Sequence, residues 1–165
     1  MSALGGVPEA GIVGSRVVTS AANAALANGM LAHADINIQH LTALMLIDGD
    51  ITFASSHDAK RVRDPAILKL RQRIELVGSA ALGKAKTTQA IVEITTHAGA
   101  RQRHHTKAVR GSATNPMSRE DVAGKARGLL APALGARRAE RLIETIWNIE
   151  RVQDARQLRR LLSAG

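Results

Sequence analysis

Apolar positions recur at helical spacing in two segments of the first half of the chain. An apolar stripe between a capping Asn37 and a terminating Gly49 predicts one helix. Asp64 followed by Pro65 is a typical helix start, and the spacing of Ile67, Leu70, Ile74 and Val77 predicts a second helix that ends near Val77 and Gly78. The run over 21–34 is rich in strong helix formers, so it predicts a further helix before them.

Three more helices are predicted after residue 117. Ser118 and Asp121 have the spacing of a capping box, which indicates a helix through Leu130 before Pro132 and Gly135 interrupt the pattern. Asp154 is a candidate cap for a last helix. Between these two helices the sequence predicts the third, which has a broad apolar stripe made of Ala139, Leu142, Ile143, Ile146 and Ile149.

The clearest strand is predicted over 90–97, where β-branched residues alternate. Ala98 and Gly99 supply turn chemistry, and the basic run over 101–109 is expected to pair antiparallel at a sheet edge. A short strand is expected at 51–53, and residues 1–19 show no sustained period and are interpreted as loop. The pattern therefore predicts an α+β fold with a small antiparallel sheet packed with several helices.

Composition indicates a folded protein with an aliphatic core. The chain has 165 residues, 45% of them hydrophobic, and its only aromatic residues are Phe53 and Trp147. It contains no cysteine, which excludes disulfides and thiolate chemistry and fits a cytoplasmic location. No segment approaches the roughly 18 apolar residues of a membrane span, so no membrane association is expected.

The formal net charge of +9 would attract anions, which include nucleic acids, polycarboxylates and simple counterions. A nucleic-acid interface would use a basic strip, Arg101, Arg103, His104, Lys107 and Arg110. That strip has no aromatic residue on which bases could stack, which argues against a reader of RNA or single strands.

Two short motifs are weighed as ligand sites and set aside. Residues 78–84 read GSAALGK, which fits part of a phosphate-binding loop, but Ala85 stands where the motif needs a hydroxyl and a strand is expected to follow. His97, His104 and His105 could approach one another across the hairpin. Because His104 and His105 would point to opposite faces, at most one can join His97, so no metal site is expected.

Two neighbouring pairs suggest acid–base chemistry, namely His57 with Asp58 and His33 with Asp35. Adjacency in sequence is weak support, because catalytic partners meet in space. A local hydrogen bond at a loop or helix start explains His57 and Asp58 equally well. Ser55 and Ser56 add hydroxyls, but a triad built from such close neighbours is sterically implausible.

Two stretches of the sequence resemble the MmgE/PrpD family, which includes 2-methylcitrate dehydratase, cis-aconitate decarboxylase and iminodisuccinate epimerase. Residues 21–35, AANAALANGMLAHAD, resemble a segment of the family's first, helical domain. From NIQHLTALMLIDGDITFASSHD through DPAILKLRQRIELV, VEITTHAG and GSATNPMSREDVAGKARGLL to WNIE, the chain resembles the family's C-terminal domain in order.

The resemblance implies residues 1–35 as a remnant of an otherwise missing all-α domain and residues 36–165 as the C-terminal α+β domain. Most of the family's catalytic groups come from the region that is missing between them. The retained candidates are Asp35, after the His-Ala motif, and His40, which with Gln39 stands where the family tends to have a Gln-Tyr pair. No residue is assigned to substrate binding.

The family chemistry implied by the resemblance is proton abstraction beside a carboxylate, followed by loss of water or carbon dioxide or by reprotonation, with no metal or organic cofactor. The leading hypothesis is a truncated family member with little or no turnover alone, whose exposed apolar face favours a homo-oligomer such as a dimer. One alternative is a residual lyase for small polycarboxylates whose site is completed at a homodimer interface. The other is a basic module that binds anions or nucleic acid.

Overall fold

The computed structural model of the protein describes residues 12–20, Ala24 and residues 35–163. The chain divides into two compact units, Met1–Val109 and Arg110–Gly165. The helix predicted over 21–34 lies outside the described residues apart from Ala24. The division of the chain at residue 35 stays a prediction.

The first unit combines a four-stranded sheet with five α-helices among its described residues. The sheet order is β2-β1-β3-β4, in which β1 pairs parallel with β2 and antiparallel with β3, and β3 pairs antiparallel with β4. The elements in chain order are β1 Ile12–Ser20, α1 Ile38–Asp48, α2 Phe53–His57, α3 Ala59–Val62, α4 Pro65–Arg71, β2 Ile74–Ser79, α5 Ala80–Gly83, β3 Ala90–Thr96 and β4 Arg101–Thr106. The α+β fold is confirmed, with a mixed sheet of three antiparallel strands and one parallel strand.

One core cluster joins the sheet to α1 and α4. Every second residue of the strands turns toward the helices, which is the period of a half-buried strand. The cluster contains only aliphatic side chains and alanine, as the composition predicts. Its buried members are Ile12, Val17, Ala43, Leu44, Leu46, Ile67, Leu70, Ile74 and Ile94.

The opposite face of the sheet carries a row of alternating charges that crosses all four strands. Arg16 on β1 lies between Glu75 on β2 and Glu93 on β3, with its Nε 2.8 Å from Glu75 Oε2 and its Nη1 3.5 Å from Glu93 Oε2. Glu93 in turn accepts from Arg103 Nε on β4 at 3.2 Å. The strand register places these four residues directly opposite one another. We call Glu75, Arg16, Glu93 and Arg103 the charge ladder.

The hairpin prediction is confirmed, and the loop prediction for residues 1–19 is wrong over 12–19. Residues 12–20 form β1, an inner strand of the sheet. The alternation is hidden in the sequence because the register of β1 against β3 shifts between Ile12 and Gly14. The side chains of Ser15 and Thr19 are also buried, so polar residues stand at core-facing positions.

Two other predictions over 51–77 are corrected. The expected strand at 51–53 is absent, because Thr52 caps α2 and accepts from Ser55 N at 3.0 Å. The helix that begins at Asp64 and Pro65 ends at Arg71, and residues 74–79 form β2 instead. Parallel pairing with β1 satisfies the backbone there, so tertiary contacts override a spacing that also fits a helix.

The second unit consists of α6 Arg119–Leu134, α7 Ala136–Trp147, a 3-10 turn Ile149–Arg151 and α8 Arg156–Leu162. The capping box is confirmed: Ser118 Oγ accepts from Asp121 N at 3.1 Å, and Asp121 Oδ2 accepts from Ser118 N at 3.0 Å. The first of these helices runs past the predicted end through Pro132 and stops at Gly135, which has a φ of 80°. None of the helices among the described residues is long and apolar enough to cross a membrane.

Candidate functional site

The two candidate residues lie at and just before the first turn of α1. Asn37 caps this helix, because its Oδ1 accepts from the backbone N of His40 at 2.8 Å. Asn is among the preferred caps since its short side chain reaches the free N–H groups of the first turn. The cap fixes Gln39 and His40 in the first helical turn.

His40 lies in the core of the first unit. Its side chain is fully buried, and neither ring nitrogen has a hydrogen-bond partner among the described residues. Burial, followed by the charges of Arg71 and Arg61, lowers the pKa of His40 below its usual 6.5. His40 is therefore a neutral imidazole at physiological pH, and its ring does not face solvent.

Other polar groups near this turn are also buried. Gln39 Nε2 donates to the carbonyl of Ile74 at 3.4 Å, which ties α1 to the first residue of β2. Gln39 Oε1, Asn37 Nδ2 and Ser15 Oγ are buried without a hydrogen-bond partner among the described residues. Such groups cost stability where they stay unpaired, so the first turn of α1 is a polar insertion into an aliphatic core.

Asp35 lies close to His57 on α2. Its Oδ2 is 3.8 Å from His57 Nε2, and the two side chains are 41% and 45% exposed. This distance exceeds that of a hydrogen bond, and the two groups form an ion pair only when His57 is protonated. The structure thus brings together a carboxylate and an imidazole that are separated by 22 residues in sequence and are both open to solvent.

Local contacts hold the imidazole of His57 in place. Its Nδ1 is 2.9 Å from the carbonyl oxygen of Phe53 and 3.0 Å from Ser56 Oγ, and its ring stacks on Phe53 at 4.0 Å between centroids. Because a carbonyl only accepts hydrogen bonds, Nδ1 carries the proton in the neutral ring. Nε2 is then the basic nitrogen, and it is the one that faces Asp35.

His57 and Asp58, whose adjacency suggests a pair, have different partners, and the local alternative at a helix start applies to Asp58. Asp58 caps α3 by accepting from Lys60 N at 2.8 Å, whereas His57 turns to Asp35. His33 lies outside the described residues, so its pairing with Asp35 stays a prediction. Sequence reasoning missed the Asp35–His57 pair, because a contact across a helix and a loop leaves no spacing signal.

The guanidinium of Arg61, near this region, is bound by two carboxylates of the chain itself. Arg61 on α3 binds the carboxylates of Asp48 and Asp64, and its bond to Asp48 is the main cause that raises its pKa. A guanidinium that is paired with two carboxylates attracts a substrate carboxylate only weakly. Arg61 therefore acts mainly to join α3 to the end of α1 and the start of α4.

The motifs that were set aside have structural explanations. Ser79 ends β2, and the next four residues form the single turn of α5. No helix begins directly after Lys84, so 78–84 does not have the architecture of a phosphate loop. His105 Nε2 lies 2.9 Å from Gln89 Oε1, away from the turn that holds His97. No cluster of three metal-binding side chains occurs in the described ranges.

The basic strip is partly neutralised. Arg103 belongs to the charge ladder, and Arg110 Nη2 lies 2.5 Å from Asp121 Oδ1, which is the main cause that lowers the pKa of Asp121 to about 2. β4 is nevertheless an edge strand whose first four residues are exposed, as the basic composition of 101–109 predicts.

Comparison with protein families identifies the scaffold that carries these residues. The family model of the MmgE/PrpD C-terminal domain matches residues 15–151, most of the chain. The chain belongs to the MmgE/PrpD family. A search of curated proteins found no significant match.

Membership in the MmgE/PrpD family confirms the resemblance that the ordered motifs indicate. The matched range includes β1 and also residues 21–35, which resemble a segment of the family's first domain. Asp35, His40 and His57 all lie within it. The candidate residues thus lie within the range that the C-terminal-domain model matches, and among them Asp35 and His57 are exposed and His40 is buried.

Proposed function

We propose that this chain is a shortened MmgE/PrpD protein, related to the family's lyases and epimerases of small polycarboxylates, that has little or no turnover alone. It supplies the C-terminal domain without most of the groups that move protons in the family reaction. We place it in the cytoplasm, in keeping with a sequence that lacks cysteine.

The observation that carries the proposal is the small number of solvent-facing acid–base groups in the candidate site. Family chemistry needs a base, an acid for the leaving group and cations for the substrate carboxylates. Among the described residues of this site, Asp35 and His57 form one exposed pair, His40 is buried, and Arg61 is bound by two carboxylates. One exposed acid–base pair supplies fewer proton-transferring groups than the base and separate acid that such a reaction needs.

The test is a turnover screen of the purified full chain with citrate, 2-methylcitrate and cis-aconitate. Loss or gain of each acid is followed by proton NMR at pH 7.5, with a full-length MmgE/PrpD lyase as the positive control. We expect conversion no faster than in buffer for all three acids. Conversion at an enzyme-like rate, above about 1 per second, would refute the proposal.

One observation favours a second candidate function, a residual lyase completed at a homodimer interface. His57 Nε2 is held toward Asp35 at 3.8 Å, as a general base oriented by the Phe53 carbonyl would be. This candidate predicts weak turnover that rises with protein concentration and is lost in Asp35→Asn and His57→Gln. His97→Gln, a change in the exposed turn after β3, is the matched control and should leave that turnover intact. Turnover that is unaffected by His40→Ala would remove His40 from the site.

A further inference from the structure

An apolar groove opens between the three helices of the second unit. It has a volume of about 370 Å³ and a lining that is almost wholly apolar. Residues from α6, α7 and α8 contribute to it, among them Val122, Leu130, Ile146, Trp147, Leu158 and Leu162. None of these residues takes part in the candidate site around Asp35 and His57.

Several side chains of this groove are exposed although their spacing predicts burial. Ala139, Leu142 and Ile143 are buried, whereas Ile146 is 49% and Trp147 36% exposed on the same helix. Leu162 on α8 is 56% exposed. Exposed apolar side chains that line one concave surface are typical of a site for a partner.

The charges of the second unit indicate the character of that partner. From residue 110 to residue 165 the sequence has eleven Lys and Arg and six Asp and Glu, a net charge of +5. Five of the six carboxylates are in ion pairs, with Arg110, Arg127, Arg151 and Arg156. Within the described part of the chain, the other seven cations have no carboxylate partner, so the unit has an excess of unpaired positive charge.

Three of these cations adjoin groove residues, one through a ring contact, one through the residue after Leu162 and one through its place on α8. Arg119 lies over the ring of Trp147, with 4.4 Å between its Cζ and the ring centroid. Arg138 donates to the carbonyl of Ser163, the residue after Leu162. Arg159 follows Leu158 directly on α8. A ligand that fills the groove would therefore meet guanidinium groups at its margins.

We propose that this groove binds an amphipathic helix of another protein, with an apolar face flanked by Asp and Glu. The lining residues stand on successive turns of three helices, which suits the i, i+3, i+4 side chains of a fourth helix. Carboxylates beside that face would pair with the marginal cations, because opposite charges across an interface favour the partner that carries them. A second copy seated in this groove would bring the same excess of cations, so repulsion disfavours it there.

Trp147 provides a direct readout, because it lines the groove and is the chain's only tryptophan. The full chain is titrated with two synthetic 18-residue helical peptides that share one Leu-rich face and carry either Glu or Lys beside it. We expect the Glu-flanked peptide to shift Trp147 emission to the blue and to bind at least about tenfold more tightly than the Lys-flanked one at low salt. That ratio should shrink in 0.5 M NaCl. Equal affinities, or no binding of the Glu-flanked peptide, would overturn the proposal.

Matched variants separate the groove from the rest of the unit. Ile146→Gln places an amide in the groove and should weaken binding of the Glu-flanked peptide about tenfold, because an apolar contact is lost. Ile149→Gln is the control, because Ile149 is 47% exposed but does not line the groove, and it should leave binding unchanged. Equal effects of the two changes would contradict binding in the groove.

Charge reversal and self-association complete the test. Arg159→Glu should reverse or abolish the preference for the Glu-flanked peptide without changing the fold, because Arg159 is exposed and not ion-paired among the described residues. Without peptide, sedimentation of the parent chain should not show a dimer through the groove, that is, a dimer that Ile146→Gln dissociates. Such a dimer would assign the groove to a second copy and refute the proposal. Because the site and its readout are separate from Asp35 and His57, these results are independent of any turnover.

Discussion

At the residue scale, His40 shows how burial sets the chemical character of a histidine. Its ring lies in an aliphatic core with both nitrogens unpaired among the described residues. Two cations act on the ring as well, since Arg71 and Arg61 lower its pKa after burial does. A buried neutral imidazole of this kind destabilises the fold when it is protonated.

His40→Leu is therefore expected to stabilise the protein, and more so at acidic pH. The folded state holds the pKa of His40 below the unfolded value of 6.5, so the unfolded state binds more protons below that pH. The free energy of unfolding is unaffected by His40 protonation above about pH 6.5. Below that pH it falls, with a slope of at most about 1.4 kcal/mol per pH unit from this residue. Urea unfolding at pH 7.5 and pH 5.5 should show about 1 kcal/mol of gain at the higher pH, from removal of the unpaired nitrogens, and a larger gain at the lower.

The exposed His97→Gln serves as the control for this experiment. It changes the count of histidines without changing a buried group. We expect its unfolding free energy to follow that of the parent chain at both pH values. If the parent and His40→Leu lose the same stability between pH 7.5 and pH 5.5, burial of His40 does not govern the acid sensitivity.

Single residues of the candidate site were only partly predictable from sequence. The Asn37 cap and the position of His40 in α1 followed from local chemistry, because a cap acts within three residues. The Asp35–His57 pair did not, since the residues meet through the path of the chain between α1 and α2. The burial of His40 also needed the packed structure, as a histidine in an apolar stripe fits either a core or a surface position.

At the scale of elements, the sheet separates an aliphatic face from a charged one. The face toward α1 and α4 contains Val17, Ile74 and Ile94, and the other face carries the charge ladder. Cross-strand pairs of opposite charge favour one register, because a slip by one residue would move each charge to the core face. The ladder thus supports the pairing of β1, β3 and β4.

Glu93→Gln tests this support. Glu93 lies between Arg16 and Arg103, so its neutralisation removes both attractions and leaves one cation on each of the two strands that flank β3. We expect a loss of about 0.5–1 kcal/mol in the free energy of unfolding at low salt, because the groups are partly exposed, and a smaller loss in 0.5 M NaCl. Chemical denaturation at both salt concentrations measures it.

Glu75→Gln is the matched control, since Glu75 stands at the end of the ladder and contacts Arg16 alone. Its effect should be smaller than that of Glu93→Gln and should depend on salt in the same direction. Equal losses in the two variants, or losses that do not change with salt, would show that the ladder does not act as a connected row of charges.

Elements held by local signals were predicted from sequence, and elements held by pairing were not. The helix Arg119–Leu134 has a capping box and the hairpin of 90–106 has a turn, and these features fix the two elements locally. By contrast, β1 contains Gly14 and a register shift, and β2 follows directly on a helix with apolar spacing that continues into the strand. Both depend on each other for backbone hydrogen bonds, so neither is evident in its own residues.

At the scale of the whole molecule, the chain is a member of the MmgE/PrpD family whose two units carry different surfaces. The first unit holds the exposed Asp35–His57 pair, and the second holds the apolar groove lined by Trp147. The proposed function and the proposed partner helix follow from these two surfaces separately. Composition predicted the aliphatic core and the excess of positive charge, whereas the groove emerges only when α6, α7 and α8 pack.

The central claim is that this chain alone does not abstract a proton from a carbon beside the carboxylate of an organic acid. The most direct measurement is deuterium exchange, because it detects abstraction even where no product forms. The purified chain is incubated in D₂O with citrate, 2-methylcitrate or cis-aconitate, and proton NMR follows the C–H groups beside the carboxylates. We predict exchange at the rate of the protein-free buffer; exchange that the chain accelerates, and that Asp35→Asn or His57→Gln removes, would contradict the claim.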